Sequence, residues 1–208
     1  MVVGGGNNMR TFSDRDETRL AQDQFFILDP DEELPGNEYI DQLDDLSLFT
    51  DGITRCLLKL GYHDFECDVG KTVSLVRECC VKAGVDISRQ TLVNWFTGSI
   101  PSASAAGREN VYKLCFALKL TADETCEFFL KSYLERPFNY KNIHEAVYFF
   151  CLNTGRDYTN AVRLIEQIDA SPLVDNPDAI DLTEAIGEHL QGISDEKEFL
   201  DFIADNRS

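Results

Sequence analysis

Four side chains of this 208-residue chain stand where they could do chemistry together: Ser88, Arg89, Gln90 and Asn94. They lie in the stretch Ile87-Ser88-Arg89-Gln90-Thr91-Leu92-Val93-Asn94-Trp95-Phe96-Thr97-Gly98. Ile87, Thr91/Leu92 and Trp95 recur at three- to four-residue spacing, which is the spacing of one buried helix face. The four polar residues then share the opposite, solvated face. Arg forks onto guanine, Gln or Asn pairs with adenine, and Ser or Arg can also hold a phosphate oxygen. Gly98 is suited to end such a helix because it tolerates the left-handed conformation. Lys71, Arg108 and Lys113 are the flanking cations expected to meet phosphates.

Other chemistries are poorly supported. His63 and Cys67 stand four apart with Cys56 upstream, but a zinc site needs four convergent ligands and no second clean pair is present. Gly70-Lys71-Thr72 has the ending of a phosphate-binding loop; that loop needs a glycine where Phe65 stands. His144 and His189 have no Ser or Cys near them in a nucleophile's setting. The acidic pairs do not form a calcium loop. The seven cysteines, an odd number, contain no Cys-x-x-Cys pair, and several fall at positions that helical periodicity would bury, which reads as reduced core thiols. The expectation is a non-enzymatic protein with no metal and no cofactor.

The pattern Ile-Ser-Arg-Gln-Thr-Leu-x-x-Trp-Phe-x-Gly over Ile87–Gly98, with Pro101 just after it, resembles the recognition helix of a Cro/repressor-type helix-turn-helix. Downstream, Arg108-Glu109-Asn110-Val111-Tyr112-Lys113-Leu114-Cys115-Phe116-Ala117-Leu118 and the following Leu120-Thr121-Ala122-Asp123-Glu124 resemble that family's next helix and the capped start of the one after. The resemblance covers roughly residues 72–132. Through Phe138-Asn139-Tyr140 and Thr183-Glu184-Ala185-Ile186 the chain also resembles uncharacterised Firmicutes-type bacterial proteins, which implies no activity. The helix-turn-helix resemblance implies a transcriptional regulator that binds double-stranded DNA, commonly as a homodimer on paired half-sites. Two departures stand against the family pattern. Val85-Asp86 lengthens the turn after Gly84 by about two residues, and the loop over 99–107 carries no charge until Arg108.

Charge divides the chain. The formal net charge is −18, but residues 70–120 sum to +4 while residues 1–69 and 121–208 each sum to −11. The one basic segment is the one with the helix-turn-helix resemblance. An acidic total opposes phosphate binding at long range. It supports a second reading: an acidic protein-binding module, or a phage or mobile-element inhibitor, that docks on a basic nucleic-acid-binding protein.

The elements that must position these residues are all helical. The expected fold is an all-α bundle of about seven to eight short helices behind a flexible acidic N-terminal tail, residues 1–40. A helical domain over 41–136 holds the helix-turn-helix at about 72–98, and an acidic helical region follows over 137–208. Expected helices run over about 41–61, 72–83, 87–98, 108–119, 121–134, from Asn142 to Gly155, 158–168, 183–191 and 195–204. Thr121-x-x-Glu124 and Asn142-x-x-Glu145 read as capping signatures, and Ser194 as the cap of the last helix. Phe128, Phe129 and Tyr133 are expected in the core, not on a base-stacking platform. No apolar run reaches the roughly 20 residues of a membrane span and no signal peptide is evident, so a cytoplasmic protein is expected.

Overall fold

The computed structural model describes residues 48–63, 65, 68–171 and 183–206. The tail expected over 1–40, the first residues of the helix expected from 41, Cys67, and residues 172–182 between the helices expected at 158–168 and 183–191 lie outside the described residues. Among the described residues the chain is all-α and holds no strand. Among the described residues nine α-helices follow one another: α1 (Phe49–Lys59), α2 (Val69–Lys82), α3 (Arg89–Phe96), α4 (Ala105–Ala117), α5 (Ala122–Phe128), α6 (Ile143–Asn153), α7 (Tyr158–Asp169), α8 (Thr183–Gly192) and α9 (Glu196–Asn206). A one-turn π segment, Phe129–Tyr133, continues α5. No described helix is long and apolar enough to cross a membrane.

Side-chain caps set the starts. Asp68 accepts from the Lys71 amide at 3.0 Å, Ser88 from Thr91 at 3.0 Å, Ser104 from Gly107 at 3.2 Å and Asp157 from Asn160 at 2.8 Å. Each satisfies an amide that the first helical turn leaves unbonded. The expected caps at Thr121 and Asn142 form, the first as a full capping box with Glu124. Several starts differ from expectation: α2 begins at Val69, not 72, and α3 at Arg89, not 87. Ser104 caps α4, which begins at Ala105, three residues before Arg108. In α9 it is Asp195, not Ser194, whose carboxylate accepts from the Glu198 amide at 3.0 Å.

The stops are equally local. After α1, α2, α3 and α6 a glycine takes positive φ: Gly61 at 86°, Gly84 at 66°, Gly98 at 114° and Gly155 at 68°. Beside each, amides fold back onto the last carbonyls, as Val85 does onto Cys80 at 2.9 Å and Tyr62 onto Leu57 at 3.1 Å. α4 ends in the same way, but there the left-handed residue is Lys119, with φ of 56°.

The described residues form one compact unit. α6 runs through its middle: Glu145 to Leu152 are all buried, as suits a helix apolar on every side. α7 packs along α6, α8 and α5 lean on it, and α2 bridges α3 and α4. The packing crosses the boundary expected at 136/137, since Tyr112 of α4 stacks on Phe138 with ring centroids 5.4 Å apart. Farther on, Phe150 of α6 stacks on Phe199 of α9 at 4.1 Å. Phe128, Phe129 and Tyr133 are core residues, as expected. In α7 the inward face is Ala161, Leu164 and Ile168, all buried, whereas Val162 and Ile165 are half-buried.

Candidate nucleic-acid interface

α3 is held from beneath. Leu92, Trp95 and Phe96 are buried, together with Val85 and Ile87 of the preceding turn. The Trp95 ring meets Phe49 of α1 edge-on at 5.4 Å, and α2 packs against the same helix. The opposite face carries Ser88, Arg89, Gln90 and Asn94, all exposed. The turn between α2 and α3 spans residues 83–88, and its extra residues are not slack. Val85 is tucked under the end of α2 and Ile87 enters the core.

The four polar residues are not equally available. The Ser88 hydroxyl already caps the helix and lies 2.8 Å from Thr91 Oγ1. Gln90 Nε2 donates to Asn94 Oδ1 at 2.8 Å, which locks the two amides side by side and leaves Gln90 Oε1 and the Asn94 amide nitrogen for a ligand. Arg89 stands in solvent at the first position of α3, where the ends of the amides add to its positive potential. Beside the helix a cleft of about 310 Å³ runs between Thr91, Asn94 and Trp95 and the loop Ser99–Ser104, with Asn110 at its back. Lys71 is exposed in the first turn of α2.

Two of the expected phosphate contacts are withdrawn. Arg108 points inward, with its side chain 14% exposed and its partner Glu145 9% exposed. Its Nε donates to Glu145 Oε1 at 2.8 Å and its Nη2 to Oε2 at 2.7 Å, while Nη1 and Nη2 also reach the carbonyls of Arg136 and Pro137. The Tyr112 hydroxyl lies 2.9 Å from Glu145 Oε2, and the Asn139 amide donates to the same oxygen at 2.8 Å. Burial works against both charges. Their mutual hydrogen bonds nevertheless hold the guanidinium above its ordinary pKa and the Glu145 carboxyl below its own. Burial and the neighbouring carboxylate push the Tyr112 hydroxyl far up, so it remains protonated. This is a buried joint between α4, α6 and the connector before α6, and it turns four of the five guanidinium donors inward, away from any DNA. Lys113 is likewise engaged: its side chain is 19% exposed and lies 2.7 Å from Glu109, one turn earlier.

The remaining candidates for chemistry scatter. His63 is exposed, His144 lies 3.9 Å from Asp169 at the surface, and His189 stacks on Phe202 at 4.5 Å. No group of three or more His, Cys, Asp or Glu side chains converges among the described residues. The six described cysteines are free thiols, five of them buried. Burial pushes Cys56, Cys80 and Cys126 up to about 11 and Cys151 up to about 12. Thiols raised this far are poor nucleophiles at neutral pH. No family model, no curated protein and no solved structure matches the chain.

Proposed function

We propose that this is a non-enzymatic DNA-binding regulator that reads duplex DNA with the exposed face of α3. The observation that carries the reading is the division of α3 itself: Leu92, Trp95 and Phe96 anchor it, while Arg89, Gln90 and Asn94 stand free of the core on one side. A helix presented this way fits a major groove, and these are residue types that recognise base edges there. The positive balance of residues 70–120 supports the same reading. With Arg108 and Lys113 withdrawn, phosphate contact falls to Arg89, Lys71 and backbone amides.

The test is fluorescence anisotropy with mixed-sequence duplex DNA at low and moderate salt. The wild type should bind in a salt-sensitive manner, and Arg89→Ala should weaken binding by about 1–3 kcal/mol. An absence of binding even at low salt, where phosphate contacts are strongest, defeats the proposal. A second reading then takes over, favoured by the inward turn of Arg108 and by the net charge of −18: a module that docks on a basic, nucleic-acid-binding protein.

A further inference from the structure

Away from α3, the C-terminal ends of α1, α2, α4 and α6 converge with the start of α7 around a cleft of about 520 Å³. The volume is that of a small-molecule site. Phe116, Leu120 and Leu152 give it an apolar lining, and Tyr62 and Tyr158 bring hydroxyls to it. Three cations line it too: Lys82, Lys119 and Arg156. Positive side chains are ordinary at helix C-termini, where they complement the backbone dipole. Two of the three already have partners within the fold. Lys82 pairs with Glu78 at 2.6 Å, and Arg156 lies over the Phe150 ring and donates to the Ser194 carbonyl at 3.2 Å.

Lys119 differs on two counts. Its ammonium has no ion pair or hydrogen bond among the described residues. Its backbone is left-handed, φ 56°, at the helix stop where α1, α2, α3 and α6 all use glycine. A side chain in that conformation costs roughly 1 kcal/mol. Complementing the dipole does not require that cost, since Lys59 and Lys82 do so from the last turns of α1 and α2, whose stops are glycines. What sets position 119 apart at this cleft is an ammonium with no partner among the described residues, since Lys82 is paired with Glu78. Asp157 is the one carboxylate in the lining, and its Oδ1 accepts from the Asn160 amide and side chain at 2.8 Å each.

We propose that this cleft binds a small organic monoanion, its apolar body against Phe116, Leu120 and Leu152 and its anionic group at the Lys119 ammonium. The proposal is independent of the α3 reading. It is tested on the full chain with two fluorescent probes of similar shape, 1-anilinonaphthalene-8-sulfonate, which carries one negative charge, and the uncharged N-phenyl-1-naphthylamine. The sulfonate should saturate at one equivalent, and Lys119→Gly should weaken it roughly tenfold while changing the uncharged probe less than about twofold. Lys119→Gly relieves the backbone strain, so it should melt no lower than the wild type; a loss of sulfonate binding is then not a loss of fold. Lys119→Glu should weaken the sulfonate further. Binding that fails to saturate at one equivalent, or that Lys119→Gly leaves unchanged, or that falls alike for both probes, overturns the proposal.

Discussion

Arg108 shows how much one side chain decides here. Its guanidinium and the Glu145 carboxylate are both out of water, so their hydrogen bonds offset a large desolvation cost. Removing one partner leaves the other charged and unpaired. Glu145→Gln should therefore lower stability by about 3 kcal/mol or more, read as a fall in the urea midpoint. Arg108→Met/Glu145→Gln should cost less than the sum of the two single changes, because no charge remains stranded. The pH dependence follows from the sign of the shift. Glu145 sits below its ordinary value of 4.5 in the fold, so its contribution is present above pH 4.5 and lost as pH falls through the depressed value. The Glu145→Gln variant should lack that part of the acid transition. This joint was not legible in the sequence, because Arg108 and Glu145 are 37 residues apart and only the packing of α4 on α6 joins them. The engagement of Lys113 was legible: Glu109 stands one turn before it, the favourable order for a helical ion pair.

At the scale of elements, local signals carried most of the fold. Ser, Thr, Asp or Asn opens each of α2 to α7, and Gly stops four helices, so their limits follow from residues a few positions apart. The exposed face of α3 was readable for the same reason, since a 3.6-residue period separates Leu92 and Trp95 from Arg89, Gln90 and Asn94. What local pattern cannot supply is where two helices touch. Gly52 lies mid-helix in α1, where glycine is costly by itself. The π turn after α5 explains it: a Cβ at Gly52 would fall 2.7 Å from Ser132 Cβ and 3.0 Å from Phe128 Cε2. Gly52→Ala should thus be destabilising by about 1–3 kcal/mol, even though alanine is the better helix former by about 1 kcal/mol. Ser132→Gly in the same chain should recover part of that loss in thermal melts. If Gly52→Ala raised the melting temperature instead, α1 would not approach the π turn this closely.

The whole molecule sets one condition on both surfaces: it is strongly acidic, with a net charge of −18. Like charges along one chain repel, and mobile ions screen that repulsion within about 10 Å at 0.1 M salt. The buried Arg108–Glu145 pair is shielded from those ions, so it does not offset the effect. Raising sodium chloride from 10 to 200 mM should therefore stabilise the fold by about 1 kcal/mol, or roughly 2–4 °C in Tm for a chain of this size. The same change should weaken DNA binding through α3, because it restores the counterions that Lys71 and Arg89 would displace. The two responses run in opposite directions. Measured together by melting and anisotropy on one preparation, they separate a loss of affinity from a loss of fold. A Tm that fell with salt would mean that attractive surface pairs, such as Arg163–Glu196 at 2.6 Å and Lys59–Glu124 at 3.5 Å, outweigh the net repulsion. The acidic total would then be no obstacle to folding, and its obstacle to DNA would be confined to the approach of the phosphates.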